Sequence, residues 1–313
     1  MGVLVTGASG FVGRAVCAEL VNRGWSVRAT LRSSESVPPA GTEPHIAGDI
    51  RSASWPLANV DTVVHLAAIA HQLGGQDADE VYHAINCAAT ERLARAAAQA
   101  GVKRFVFMSS IKVNGERTAI DRPFRAGDAP QPEDRYACSK HEAERALAGV
   151  AAETGLEVVI LRPPLVYGPG VRANFLRLVR LVERGWPLPL GAVHNRRSLI
   201  YLGNLVDLVA TAATSPAAAG RTLLAADGED LSTPQLVQHI ARALNARPRL
   251  IAIPPGLLKL AGALTGMRGE IGRLVDSLVV DASETRSALG WQPPYTVAQG
   301  MAHTVGWYRS TAR

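Results

Sequence analysis

A chain of 313 residues, 47% of them hydrophobic and 19% charged, is long enough to bury a large core, which argues against a disordered protein. Its net charge of +6 is modest, and its 33 basic residues form no block of the kind that binds nucleic acid, so no nucleic-acid partner is expected. Three isolated cysteines argue against a disulfide scaffold or a zinc site and indicate a reducing, cytoplasmic environment.

The first half of the chain alternates short β-branched segments with longer segments rich in alanine and leucine. This alternation is typical of a parallel sheet covered by helices on both faces. We predict strands over residues 2–6, 27–31, 45–47, 62–66, 105–108 and 158–161, and helices over residues 11–23, 77–100 and 135–153. Right-handed crossovers bring the carboxyl ends of such strands to one edge, where ligands bind.

After residue 162 the pattern changes to proline-rich turns and mixed helices. We therefore predict an α/β fold: a Rossmann doubly wound parallel sheet with a smaller, interleaved C-terminal substrate lobe. The Rossmann domain would span residues 1–165, with a return around residues 198–226, and the lobe would span residues 166–313. No apolar run reaches the ~20 residues of a membrane span, and a first strand at Gly2 leaves no room for a signal peptide, so no membrane insertion is expected.

Residues 7–13, GASGFVG, form a GxxGxxG motif between the first strand and an amphipathic helix. Glycines there let the backbone turn tightly and approach a pyrophosphate, whose charge meets free N–H groups at the start of the helix. The motif alone also fits an ordinary glycine-rich turn, and its context favours a dinucleotide site. The second strand ends at Arg32 without an acid, which favours NADP; a solvated strand-end charge is the alternative.

Tyr136 and Lys140 form a YxxxK motif in the third predicted helix. Four-residue spacing puts both side chains on one face of a helix. An ammonium group near a phenol favours the phenolate, so we expect the pKa of Tyr136 to be lowered from ~10, as a general acid or base at an alcohol or ketone requires. The alternative is an exposed helical tyrosine with an unrelated lysine.

With these motifs, the chain resembles the extended short-chain dehydrogenase/reductases, the NAD-dependent epimerase/dehydratase family, over nearly its whole length. The resemblance implies NADP or NAD as cofactor, a catalytic Tyr136 with Lys140 on the nicotinamide ribose, and Ser110 bonded to the reacting oxygen. It also implies that Asp49 contacts the adenine amine and that Asn86 supports the cofactor loop. The implied cofactor contacts are Gly7, Ser9, Gly10, Phe11, Val12, Gly13, Arg32, Asp49, Ile50, Leu66, Ala67, Ala68, Asn86, Ser109, Tyr136, Lys140 and Pro163.

Two later segments, residues 162–170 (RPPLVYGPG) and 196–207 (RRSLIYLGNLVD), are similar to substrate segments of nucleotide-sugar enzymes. The resemblance implies that Arg197 binds the substrate diphosphate. It also implies that Ser110, Asn174 and Arg273 are further substrate contacts. A bidentate arginine suits phosphate oxygens, whereas a surface salt bridge is the alternative for Arg197. None of the eight histidines has a metal-ligand spacing such as HExxH, so no metal is predicted.

The family's reactions on nucleotide sugars include 4-epimerisation, 4-ketoreduction, 4,6-dehydration and decarboxylation. Ile111 and Lys112 stand where dehydratases carry Asp-Glu, which disfavours dehydration. The segments SSIKVNGE, RPPLVYGPG and RRSLIYLGNL are most similar to proteins of O-antigen and capsule synthesis. We therefore expect a UDP-4-keto-6-deoxy-HexNAc 4-reductase that takes a UDP-sugar. A UDP-hexose or UDP-HexNAc 4-epimerase is the alternative, and a non-catalytic NAD(P)-binding protein is a remote one.

The predicted helices over residues 77–100 and 135–153 resemble those that pair as a four-helix bundle in dimers of the family. The resemblance therefore implies a homodimer. Their alanine-rich faces fit an intramolecular core equally well.

Overall fold

The computed structural model describes residues 1–70 and 77–311. The strands in these ranges are β1 (Gly2–Thr6), β2 (Ser26–Leu31), β3 (Glu43–Ile46), β4 (Thr62–His65), β5 (Arg104–Met108), β6 (Glu157–Arg162), β7 (Leu165–Tyr167), β8 (Pro187–Leu188), β9 (Leu199–Tyr201), β10 (Thr222–Leu224) and β11 (Arg249–Leu250). The α-helices are α1 (Phe11–Asn22), α2 (Ala78–Tyr82), α3 (Ala89–Gln99), α4 (Arg135–Thr154), α5 (Ala173–Glu183), α6 (Leu202–Thr214), α7 (Thr233–Ala243), α8 (Pro255–Leu264), α9 (Arg268–Val275), α10 (Ser283–Leu289) and α11 (Val297–Thr311).

Seven parallel strands form the central sheet in the order β10-β6-β5-β4-β1-β2-β3. The order reverses between β1 and β4, because the chain first builds outward from β1 to β3 and then returns to the other side of β1. Helices α1 and α6 pack on one face of the sheet, and α3 and α4 pack on the other. The predicted doubly wound α/β fold is confirmed, and the reversal is the place where such sheets bind ligands.

The six predicted strands are found in the sheet, with ends shifted by two residues or fewer, whereas the seventh strand, β10, was not predicted as a strand. The predicted helix over residues 77–100 is instead divided into α2, a π-helix (His83–Ala88) and α3. Its wide turn carries Asn86, whose side chain bonds both the loop after β4 and α4. Such turns interrupt the regular helical repeat that the sequence pattern predicts.

The second half of the chain contributes to both the sheet and a separate core. Strand β10 joins the central sheet beside β6, and β7 pairs with β9 in a two-stranded sheet of their own. A further hydrophobic core joins α5, α7, α8, α9 and α11. We call the region around this core the lobe; the predicted boundary at residue 165 stays a prediction.

Within the described ranges, no helix is long and apolar enough to cross a membrane.

Candidate active site

The glycine-rich loop joins β1 to α1. Gly7 has a φ of 67°, and a Cβ there would lie 2.8 Å from the backbone nitrogen of Ala67. A Cβ on Gly13 would lie 2.1 Å from the carbonyl oxygen of Gly7, so only glycine allows the first turn of α1 to approach the loop this closely. Gly10 precedes α1 and offers no side-chain cap, which leaves N–H groups of the first turn available to a phosphate. The loop therefore fits the pyrophosphate of a dinucleotide.

His65, at the end of β4, is a fully buried link between strands and helix. Thr6 Oγ1 accepts hydrogen bonds from the N–H groups of Leu66 and Ala67, so its own proton goes to His65 Nδ1, 2.7 Å away. The His65 Nε2–H then donates to Thr90 Oγ1 at 2.9 Å. Burial lowers the pKa of His65 to about 3, which keeps the ring neutral in this role. His65 is thus a satisfied core residue that holds the loop of the predicted contacts Leu66, Ala67 and Ala68.

Asn86 holds the next part of the same loop. Its side chain accepts from the Ile69 N–H at 2.9 Å and donates to the Ile69 carbonyl at 3.0 Å. It also donates to Ser139 Oγ on α4, one residue before Lys140. The loop after β4 and the helix of the YxxxK motif are therefore joined through one amide group, in line with the support that the resemblance implies.

Ser110 and Tyr136 lie on two segments that are tied together by Lys112. Ser110 precedes a short 3-10 helix (Ile111–Val113), and its Oγ accepts from the Lys112 N–H at 3.3 Å. The Lys112 ammonium group donates to Asp134 at 2.6 Å, and Asp134 caps the N-terminus of α4. Because Tyr136 is in the first turn of α4, this ion pair fixes the serine segment against the tyrosine helix. The sequence motif contained Lys112 but did not indicate this role.

Lys140 is buried beneath Tyr136. Its ammonium group donates to the Met108 carbonyl at 2.8 Å and lies 6.0 Å from the centroid of the Tyr136 ring. Burial lowers the pKa of Lys140 to about 7. Burial raises the pKa of Tyr136, and the negative charge of Asp134 adds to the rise. The expected lowering of the Tyr136 pKa is therefore wrong for the chain by itself, because the phenol is desolvated and the Lys140 ammonium group is directed at the Met108 carbonyl.

A buried ion pair lies one helical turn beyond Lys140. Glu144 accepts from Ser109 Oγ at 2.5 Å and from the Arg162 guanidinium at 2.5 and 2.9 Å. Arg162 also donates to Asn114 at 2.9 Å, and all four side chains are buried. We call Ser109, Asn114, Glu144 and Arg162 the Glu144 network. Sequence reasoning missed Glu144, although its spacing of four from Lys140 places it on the same helix face.

Pro163 lies next to this network, directly after β6. Its carbonyl accepts from the Ile111 N–H at 3.0 Å, which brings it beside the Ser110 segment. Its cofactor contact stays a prediction.

Arg32, Asp49 and Ile50 lie beyond β2 and β3, at the end of the site where adenosine is predicted. The Asp49 carboxylate is bonded to Arg51 at 2.6–3.1 Å, and these bonds, together with the charge of Arg32, hold its pKa at about 2. The Ile50 carbonyl accepts from Arg92. Asp49 is thus an ion-pair partner in this structure, and its contact with adenine stays a prediction.

The predicted diphosphate ligands are brought together only in part. Arg197 and Arg273 line a cavity of about 730 Å³ in which basic side chains outnumber acidic ones. Its other charged lining residues are Arg117, Lys259, Arg268, Glu116, Glu133 and Asp276. We call it the cationic cavity. Burial lowers the pKa of Arg197, whose guanidinium donates to the Asp276 backbone carbonyl at 3.0 Å. Asn174, by contrast, is exposed near the start of α5 and is not among the residues that line the cavity.

One group of side chains in the described ranges has the geometry of metal ligands, although no metal was predicted. The ligand atoms of His83, Cys87 and Glu142 lie within 4.8 Å of one another. His83 is 2.9 Å from Glu142, and burial raises the pKa of Cys87 to about 11, so the thiol is protonated at neutral pH. A surface ion pair beside a buried thiol explains this group, and we assign it no metal.

Comparisons with known proteins identify the family of the chain. The model of the NAD dependent epimerase/dehydratase family matches residues 3–225. A UDP-glucose 4-epimerase of Vibrio cholerae is 42% identical over 96% of this chain and 94% of its own length. An N-acetyl-α-D-glucosaminyl-diphospho-ditrans,octacis-undecaprenol 4-epimerase of Escherichia coli O157:H7 is 27% identical over 97% of this chain and 94% of its own length. The solved structure of MoeE5 in complex with UDP-glucose and NAD superposes with a TM-score of 0.79 at 29% identity, and the match covers 100% of both chains.

The family match covers well over half of the chain, and the fold is the one that the resemblance implied. The predicted nicotinamide dinucleotide cofactor is confirmed with the family. The chain therefore belongs to the NAD dependent epimerase/dehydratase family and is an enzyme of the extended short-chain dehydrogenase/reductase type.

Proposed function

We propose that this enzyme is a 4-epimerase of a hexose carried on a diphosphate, which oxidises C4 and then reduces it from the other face of the ring. The observation that carries the proposal is that the ammonium group of the buried Lys140 lies 6.0 Å from the centroid of the Tyr136 ring, one helical turn along α4. Glu133, three residues before Tyr136, lines the cationic cavity, so we propose that a diphosphate held there carries its sugar toward the phenol. The similarity to two 4-epimerases supports the same reaction.

In the proposed mechanism, Tyr136 takes the proton of the C4 hydroxyl group and Ser110 bonds the C4 oxygen. A bound oxidised nicotinamide dinucleotide supplies a hydride acceptor and a positive charge. Positive charge beside Tyr136 lowers the pKa of the phenol, against the effect of burial. Lys140 donates to the Met108 carbonyl and would contact the nicotinamide ribose of a bound cofactor, and Tyr136 returns the proton when C4 is reduced again.

The carrier of the sugar differs between the two relatives. The name of the Vibrio cholerae protein specifies UDP, whereas that of the Escherichia coli protein specifies undecaprenol. Both carriers end in a diphosphate, which is the part that Arg197 would bind. The predicted UDP-sugar is thus one of two carrier classes that fit the proposed reaction.

A 4-ketoreductase is the second candidate, and Arg32 favours it. The guanidinium of Arg32 is exposed at the end of β2, where an acid would bind the ribose of NAD, and a reductase that consumes its cofactor commonly uses NADPH. Binding constants for NADPH and NADH test this point in the wild type and in an Arg32→Ala variant. We expect the variant to lose about tenfold in NADPH affinity, as for one charge-assisted hydrogen bond. Tighter binding of NADH to the wild type would rule out the NADP preference.

The two reactions differ in whether cofactor is consumed. We would incubate the purified protein with UDP-glucose, UDP-GlcNAc or a farnesyl-diphosphate-linked GlcNAc, and separately with a UDP-4-keto-6-deoxy-N-acetylhexosamine plus NADPH or NADH. Interconversion of the C4 epimers without net cofactor consumption is the expected result. Stoichiometric consumption with the keto sugar would establish the reductase instead, and no turnover of any of these compounds would contradict both proposals.

The homodimer, the role in surface polysaccharide synthesis and the cytoplasmic location also remain proposals. The π-helix and α3 pack against α4, with their exposed faces at the surface of the monomer. Those faces are the ones expected to pair in a dimer. Light scattering of the purified protein tests this expectation, and a monomer at micromolar concentration would contradict it.

A further inference from the structure

Helix α8 exposes a row of leucines to solvent. Leu257, Leu260 and Leu264 have 58, 57 and 80% of their surface exposed, and their i, i+3, i+7 spacing places them on one face of the helix. Leu258 and Gly262 are the buried residues of the helix. A leucine row facing water is unusual for a soluble domain and marks contact with an apolar partner.

The row borders the cationic cavity. Leu260 and Ala263 of α8 line the cavity together with arginines that include Arg197. Helix α9 begins four residues after α8 ends, and Arg268 and Arg273 on α9 line the same cavity. A ligand that leaves the cavity on this side therefore passes from guanidinium groups directly onto leucine side chains.

The charge of the cavity suits the anionic part of such a ligand. Lys259 and Arg273 are paired with Asp276 and Glu270, at 2.7 and 3.9 Å. Among residues 1–70 and 77–311, Arg197 and Arg268 lie within ion-pair distance of no carboxylate, although the negative charges of Asp276 and Glu116 act on Arg197 from farther away. Buried or clustered guanidinium groups without carboxylate partners are typical of phosphate sites.

We propose that the sugar substrate is carried on a lipid diphosphate, with its diphosphate in the cationic cavity and the first part of its hydrocarbon chain along Leu257, Leu260 and Leu264. This inference rests on the proposed function and names the substrate class of the same site. A nucleoside carrier would expose a flat base to this wall. None of the described residues that line the cavity is aromatic, so the wall offers apolar contact without a ring for stacking.

The test compares three diphosphates by calorimetry on the full-length protein saturated with NAD. Farnesyl diphosphate, below the concentration at which it forms micelles, is the lipid probe; UDP and inorganic pyrophosphate are the comparisons. We expect farnesyl diphosphate to bind at least about tenfold more tightly than either, since two buried methylene groups already supply that factor. Equal binding of farnesyl diphosphate and pyrophosphate would overturn the proposal.

Variants separate the two parts of the site. A Leu257→Ser, Leu260→Ser, Leu264→Ser triple variant should lose the tenfold preference and keep its affinity for pyrophosphate, because the three side chains are exposed and their loss leaves the core intact. Val37→Ser, at an apolar residue that is 66% exposed in the region of β2 and β3, is the matched control and should bind all three ligands as the wild type does. Arg197→Gln should weaken binding of all three.

Different results are expected if the exposed leucines of α8 contact another subunit or a membrane instead of a lipid chain. If the triple variant changes the oligomeric state measured by light scattering and leaves farnesyl diphosphate binding unchanged, the row is a subunit contact and the proposal is wrong. It is equally wrong if phosphatidylglycerol vesicles bind the wild type and farnesyl diphosphate does not. Tighter binding of UDP, with epimerisation of UDP-glucose intact, would overturn the lipid carrier and leave the proposed function standing.

Discussion

The Glu144 network and the cationic cavity are both built from charged side chains, but they differ in how their arginines are paired. In the network, Arg162 and Glu144 satisfy each other, and Ser109 and Asn114 complete their hydrogen bonds away from water. In the cavity, Arg197 loses solvation and is bonded to a backbone carbonyl instead of a carboxylate. A charge pair that is complete within the chain supports the fold, whereas a desolvated cation outside any close ion pair is available to a ligand.

Breaking the network should have the largest effect on stability. Glu144→Ala leaves the Arg162 guanidinium buried without its carboxylate, which costs about 3–5 kcal/mol of unfolding free energy. Denaturant unfolding measures the change. Glu153 lies on α4, the helix that also carries Glu144, and forms an exposed ion pair with Arg95 of α3. Glu153→Ala should therefore change stability little. Similar losses in the two variants would contradict a stabilising role for the network.

Removing the hydroxyl group of Tyr136 tests the proposed proton transfer. Tyr136→Phe deletes the proposed acid and base, so turnover should fall by about 10²–10⁴-fold. Cofactor affinity, measured by nucleotide fluorescence, should stay nearly unchanged, and Tyr308→Phe on α11 in the lobe serves as a matched control. Unchanged turnover in Tyr136→Phe would show that another group moves the proton.

The buried lysine beside the network should make stability depend on pH. Lys140 has a folded pKa of about 7, against ~10.4 in an unfolded chain, so between these values the unfolded state binds the extra proton. Stability therefore rises with pH in this window, by at most about 1.4 kcal/mol per unit, and the penalty is fully present below pH 7. Lys140→Met should lack this slope. Parallel pH profiles of unfolding for wild type and variant would refute the assignment.

The cavity should respond to loss of charge through binding, with no loss of stability. Arg197→Gln removes a desolvated cation, so the melting temperature should stay the same or rise. The KM for a sugar diphosphate should increase by about tenfold, the factor expected for one charge-assisted contact. A fall in melting temperature as large as that of Glu144→Ala would show that Arg197 stabilises the fold as the Glu144 network does.

The glycine loop, the parallel sheet and the YxxxK helix could be predicted from the sequence. Each depends on residues that are close in the chain: glycines three apart between a strand and a helix, and Tyr136 four residues before Lys140. Backbone sterics and helix periodicity act over a few residues, so these features follow from local patterns whatever the rest of the chain does.

The partners of these residues were decided only by the tertiary structure. His65 is hydrogen-bonded to Thr6 and Thr90, which lie 59 and 25 residues away in the sequence, and Glu144 accepts from Ser109, 35 residues away. The same holds for the cationic cavity, where Arg197 meets α8 and α9. Solvation and ion pairing depend on what surrounds a group in space. Spacing along the chain therefore could not predict the raised pKa of Tyr136, the ion pairing within the Glu144 network or the absence of a close ion pair at Arg197.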